Sequence, residues 1–203
     1  MAKVETLAEL LKEIRACRYC EEHLPLGPNP VLKVHEESRI LIVGQAPGTK
    51  VHKTSIPWND LSGKRLRDWL QMEPDFFYDE SKVGILPMGF CYPGKGERGD
   101  LPPRPECAEL WQDRVHRHLK KVKLILAVGS YAQKYYLGKK RKKTMTETVR
   151  HWREYLPERI LAMPHPSPRN IMWRRKNAWF EAEVVPAMRQ KVWDVFENEL
   201  GLN

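Results

Sequence analysis

The chain contains no run of 18 or more apolar residues, so no segment reads as a membrane-spanning helix. Its first residues, Met1-Ala2-Lys3-Val4-Glu5, lack the apolar stretch of a secretory signal. The expected location is therefore the cytosol, with no membrane partner. Cysteine is scarce, four in 203 residues, which excludes a disulfide-dense secreted scaffold. Acidic residues are scarce in one region: positions 111–176 hold 18 Lys and Arg against 4 Asp and Glu. With a formal net charge of +9, the remainder is mildly acidic. A basic half beside an acidic half points to a polyanionic partner, nucleic acid first; the alternative is a solvated basic face without a ligand. No internal repeat is present. The length fits a single domain, residues 1–203, expected to act as a monomer.

Four short apolar runs stand out. Ile40 to Val43 reads as a strand buried on both faces, ended abruptly by Gly44, Pro47 and Gly48. Val83 to Met88, Leu124 to Val128 and Arg159 to Met163 repeat the pattern. Helical spacing separates them: Thr6 caps a helix carrying Leu7, Leu10, Leu11 and Ile14, and Ser62 to Met72 turns Leu66, Trp69 and Leu70 inward. Further helices are expected over Glu106 to Leu119, after Gly129-Ser130, over Met145 to Tyr155, and from Pro186 onward. Val51 to Asp60 reads as a polar loop, and Cys91 to Pro105 as too rich in Pro and Gly for regular structure. The Lys139 to Lys143 run reads as a solvated loop. Strand, loop and helix repeated four times predict an α/β fold: a three-layer α/β/α sandwich around a four-stranded parallel sheet.

In such sheets ligands bind beyond the carboxyl ends of the strands. Two of these ends open into loops that packing does not require. One is Gly44-Gln45-Ala46-Pro47-Gly48. The other is Pro164-His165-Pro166-Ser167-Pro168-Arg169-Asn170. His165, held between prolines, is rigidly mounted, and can donate to a developing anion or titrate near neutrality. The cysteines, Cys17, Cys20, Cys91 and Cys107, form C-x2-C, a 70-residue gap and C-x15-C. All-thiolate ligation suits a [4Fe–4S] cluster or Zn²⁺ alike, and four separately buried thiols are the remaining alternative.

These residues resemble the uracil-DNA glycosylase superfamily. Gly44 to Gly48 is similar to its first motif. His165-Pro166-Ser167-Pro168-Arg169-Asn170 is similar to its second, in the form seen in single-strand-selective monofunctional enzymes. Ile56-Pro57-Trp58 and Arg67-Asp68-Trp69-Leu70 fit that branch too, whereas the cysteine spacing is similar to the iron–sulfur enzymes of the family-4 type. The likeness runs from Cys17 to about Trp179.

The resemblance implies a glycosylase that cuts the N-glycosidic bond of uracil or another deaminated base in DNA, after flipping the nucleotide out of the stack. It implies a structural [4Fe–4S] cluster on the four cysteines, with zinc as the alternative. Trp58 is then the platform for the base, and His165 with the loop of Gly44, Gln45, Ala46, Pro47 and Gly48 binds the departing anion. Ser167, Arg169 and Asn170 lie near the wedge that fills the stack, and Arg174, Arg175 and Lys176 bind phosphates. The chain departs from the pattern at motif one. Gln45 stands where family-4 relatives carry Glu, and Ala46 where other branches carry Asp or Asn. Asp60, then His52, are the titratable groups left to orient water. The segment before Cys91, Leu86 to Phe90, has no side-chain amide to read uracil and offers Met88 to the base instead. A non-catalytic nucleic-acid-binding relative is the rival reading; a nucleotide-processing enzyme using the same pocket is a third.

Overall fold

The computed structural model describes residues 5–97 and 99–197. Helix α1 (Leu7–Arg15) opens on a capping box, with Thr6 accepting from the Glu9 N–H and Glu9 reaching back to the Thr6 N–H. Strand β1 (Ile40–Val43) follows, then α2 (Thr49–Thr54), α3 (Leu61–Leu70), the short α4 (Pro74–Phe77) and β2 (Val83–Ile85). A small hairpin, β3 (Lys95–Gly96) and β4 (Gly99–Asp100), precedes α5 (Pro105–Cys107) and α6 (Asp113–His116), which are joined by a π-type stretch. The chain continues through β5 (Leu124–Val128), α7 (Gly129–Leu137), α8 (Met145–Arg150), β6 (Ile160–Met163), α9 (Ile171–Lys176) and α10 (Val185–Glu197).

The large sheet has the order β2-β1-β5-β6, all parallel, and helices flank it on both sides as expected. Register is uninterrupted across the centre: Ile42 stands opposite Leu126, and Leu126 opposite Leu161. Every side chain of β1 is 0% exposed, and alternation sends them to two separate cores. Ile40 and Ile42 pack with Leu66, Leu70, Phe180 and Met188. Leu41 and Val43 pack with Leu10, Ile14, Trp111 and Val115. Each such side chain contributes about 1.5–3 kcal/mol by leaving water.

Several local expectations are corrected. The stretch 51–60 is not wholly loop, since α2 occupies its start and ends on Ser55 in the left-handed conformation. The Pro- and Gly-rich 91–105 segment contains the β3–β4 hairpin, whose two-residue strands leave no periodicity to read. The 145–155 helix breaks at His151 into a 3-10 stretch, Trp152–Glu158. The last helical segment begins with a π-type turn at Phe180, ahead of Pro186. The Lys139–Lys143 run is tied down by Lys140–Glu158 and Lys142–Glu154 pairs. Among the described residues no helix is long and apolar enough to cross a membrane.

Parallel pairing puts the carboxyl ends of β1, β5 and β6 along one edge. Buried Gln133 of α7 donates to the Met163 and Ala127 carbonyls at 2.9 and 3.4 Å. It thereby fixes the exit of β6 two residues before His165.

Candidate active site

A half-open cavity of about 590 Å³ lies at that edge. Gly44, Gln45, Ala46, Pro47 and Gly48 line it from β1, His165, Ser167, Arg169 and Asn170 from β6, and Trp58 and Asp60 from the approach to α3. Two loops distant in sequence therefore meet in one space, together with both groups expected to serve them.

The β6 loop is braced internally. Ser167 Oγ accepts from the Arg169 N–H at 3.2 Å, and Asn170 Nδ2 donates to the His165 carbonyl at 2.8 Å. The Ser167 N–H donates to His165 Nδ1 at 3.2 Å. With Nδ1 an acceptor, the ring proton of neutral His165 sits on Nε2. Burial holds the His165 pKa below its ordinary value, partly opposed by the Asp60 charge. The site thus presents a neutral N–H donor.

The β1 loop is anchored through its backbone. The Met88 and Gly89 N–H groups donate to the Gly44 and Gln45 carbonyls at 3.0 and 2.9 Å. Gln45 Nε2 donates to the Leu101 carbonyl at 3.1 Å, so its amide ties the loop to the segment after β4. Met88 is a correction: it is buried among Leu86, Phe90 and Trp111 and does not line the cavity, because its backbone pairing turns the side chain into the core. His52 also points elsewhere, with its ring 6.2 Å from that of Tyr92.

Trp58 is the strained member of the site, with φ 57°, a conformation costly for a bulky residue. Its neighbours hold it there. Arg67 donates to the Trp58 carbonyl at 3.3 Å and to the Tyr78 hydroxyl at 3.2 Å. The indole lies against Gly44 and 5.4 Å from the His165 ring, tilted by 32°. Asp60 caps α3 through Oδ1, which accepts from the Gly63 N–H at 2.8 Å. Gly63 is the point of closest approach: a side-chain carbon there would collide with the Trp58 carbonyl.

Several lining residues were not singled out from the sequence, three of them next to the polar groups of the site. Asp100 reaches the cavity from the hairpin, and nothing in a Pro- and Gly-rich stretch signalled it. Gly129 and Ser130, taken as a turn, line a smaller adjoining cavity of about 160 Å³ shared with Gln45, His165 and Asn170. Gly129 has φ 83° and lies beside His165, where a side-chain carbon would stand 3.6 Å from His165 Cβ.

Of the basic triplet on α9, Arg174 is paired with Glu181 at 3.0 Å, while Arg175 and Lys176 are exposed. Arg174 is thus the one member of the expected phosphate-binding triplet that already holds a carboxylate partner. Ile171 and Met172, 43% and 57% exposed, precede them on the same helix.

The cysteines are all free. Among the described residues no group of three or more His, Cys, Asp or Glu stands at distances suited to one metal ion. The thiols nonetheless share a neighbourhood. Burial raises Cys91 to about 11 and Cys107 to about 12, and the charges of Cys17 and Cys20 act on both. The sulfurs also receive hydrogen bonds, from the Asn29 backbone at Cys91, the Phe90 backbone at Cys107 and the Arg104 side chain at Cys20.

A parallel sheet with a cavity beyond its strand ends, walled by a rigid histidine and an aromatic platform, defines a binding site of the α/β type. The chain belongs to the uracil DNA glycosylase superfamily, whose family model matches residues 33–189. Members of that superfamily are generally DNA glycosylases, hydrolases with DNA as substrate. The match contains both cavity loops, Cys91 and Cys107; Cys17 and Cys20 precede it.

Gly63→Ala should displace the Trp58 carbonyl and release the strained turn. The expected result is a lower thermal unfolding midpoint than Gly→Ala at half-buried Gly27, where a side-chain carbon meets nothing within 4 Å. Gly27 carries the added cost of a left-handed backbone, φ 73°, which Gly63 within α3 does not, so a larger loss at Gly63 reports the collision.

Proposed function

We propose that the protein is a base-excision glycosylase that releases uracil or another deaminated base from DNA. The observation that carries this reading is the convergence of His165, Trp58 and the Gly44–Gly48 loop on one cavity. Such an enzyme holds the flipped base on an aromatic face and stabilises the anion that leaves. Trp58 offers that face. His165 offers a neutral Nε2–H whose orientation is fixed by the Ser167 N–H, so little reorganisation is needed as charge develops. Exposed Ile171 and Met172 suit the gap left in the stack, as apolar wedges do, and Arg175 and Lys176 suit phosphates beside it.

The path is dissociative. Gln45 lacks a basic oxygen, so anion stabilisation supplies most of the acceleration. Uracil itself is one candidate among deaminated bases, since the 86–90 segment carries no side-chain amide and its Met88 lies in the core.

For the cysteines, the reading is a structural [4Fe–4S] cluster held by Cys17, Cys20, Cys91 and Cys107. In support, the four thiols share one neighbourhood, near enough for the charges of Cys17 and Cys20 to act on Cys91 and Cys107. Hydrogen bonds to the sulfurs are the usual tuning of such clusters. Holding such a group would tie the stretch after α1, through Cys17 and Cys20, to Cys91 and to Cys107 at the end of α5.

His165→Ala should lower the single-turnover rate of base release on the order of a hundredfold to a thousandfold, about 3–4 kcal/mol, with DNA affinity retained. Equal rates would reject the role of His165. Absence of free base from uracil, hypoxanthine and xanthine oligonucleotides with the parent protein would favour a binding protein that lost the chemistry.

Arg175→Ala with Lys176→Ala should flatten the slope of log K against log salt by about two units, one per lost phosphate contact; fluorescence anisotropy across a salt series measures it. Aerobically purified protein should be brown and contain iron and sulfide. Colourless protein with one stoichiometric zinc would replace the cluster.

A further inference from the structure

Hydrolysis of a glycosidic bond consumes a water, and the water's proton needs an acceptor. Gln45 is not one, and its amide is occupied with Leu101. Two carboxylates line the cavity, Asp60 and Asp100. They differ in what else they do. Asp60 spends Oδ1 on the first turn of α3, where it accepts from the Gly63 N–H at 2.8 Å, so that oxygen is committed to the helix end. The carboxylate of Asp100, a residue whose backbone pairs with Lys95 on β3, makes neither a hydrogen bond nor an ion pair with another described residue.

Its placement is nonetheless specific. A side-chain carbon at Gly48 would stand 3.5 Å from Asp100 Oδ2, so the carboxylate faces the bare backbone of the β1 loop. Gly99, at φ 140°, leaves open the space that the Arg169 guanidinium occupies. The hairpin therefore sets one uncommitted carboxylate against the first loop, while the arginine of the second loop closes over the same hairpin.

We propose that Asp100 is the catalytic base that takes the proton of the attacking water, an inference that rests on the base-release reading above. The C–N bond breaks and its electron pair leaves with the base, which accepts a hydrogen bond from His165 Nε2–H. The water oxygen forms the new C–O bond at the sugar, and its proton passes to the Asp100 carboxylate. That proton then neutralises the base anion, leaving free base and an abasic sugar. Asp60 becomes a positioning residue that holds α3, and with it Trp58, and keeps a negative charge beside His165.

The test is single-turnover release from a panel of deaminated-base oligonucleotides by the parent, Asp100→Asn and Asp100→Ala, with DNA affinity and thermal unfolding measured in parallel. Asp100→Asn should lose on the order of 100-fold in rate, the lower end of the usual worth of a positioned base, as suits a path led by anion stabilisation, with affinity and unfolding midpoint unchanged. Added formate should restore part of the rate to Asp100→Ala, which a residue that merely shapes the hairpin would not allow. An active parent with an equally active Asp100→Asn overturns the role of Asp100 and leaves the glycosylase reading standing. A rate loss without formate rescue also overturns it. A parent that releases no base from any substrate overturns the glycosylase reading, and the role of Asp100 with it.

Discussion

Parallel, in-register pairing of β1, β5 and β6 is the constraint on which the rest of the molecule depends. Because Ile42, Leu126 and Leu161 lie side by side, the strands end together, and the loops after Val43 and Met163 are brought to one edge despite some 120 residues between them. A slip of one residue would turn Ile42 and Leu41 to the wrong cores. With both faces of β1 wholly buried, that slip would expose or clash every one of its side chains, so the register of the sheet and the geometry of the cavity are fixed by the same packing.

On this frame the site carries its own strain. Trp58 sits in a backbone conformation that a tryptophan avoids, and it does so because three neighbours over-determine it. Arg67 holds its carbonyl, Gly63 gives it room, and Gly44 lets the indole lie flat on the first loop. Strain of this kind costs about 1–3 kcal/mol and persists where the surroundings impose it. Its result is a fixed aromatic surface beside a histidine whose proton position is set from behind.

Charge is less simple than composition implies. Part of the basic charge is paired on the surface: Arg114 with Glu5 and Glu13, Lys121 with Glu37, Lys140 with Glu158 and Lys142 with Glu154. Exposed pairs like these add little stability, but they remove cations from any phosphate surface. What remains beside the cavity is small and local, with Arg169 at the rim and Arg175 and Lys176 on α9.

The apolar runs and the breaks after them were enough to determine the parallel sheet, because a strand buried on both faces has a composition that few other elements share. They also located the two loops, since Gly and Pro at strand ends are readable one residue at a time. Met88 was misplaced because its local sequence says nothing of the backbone pairing with Gly44 that turns it inward. Arg174 looked like a phosphate ligand until Glu181, seven residues on, was found holding it. Asp100 was invisible altogether, because a two-residue strand has no period and a carboxylate acquires a role only from what faces it. Sequence by itself determined the layers and the residue types at the strand ends, through local patterns of burial. Tertiary structure alone decided which charged groups are committed and which stand free in the cavity, since commitment is a matter of distance between segments that the chain order keeps apart.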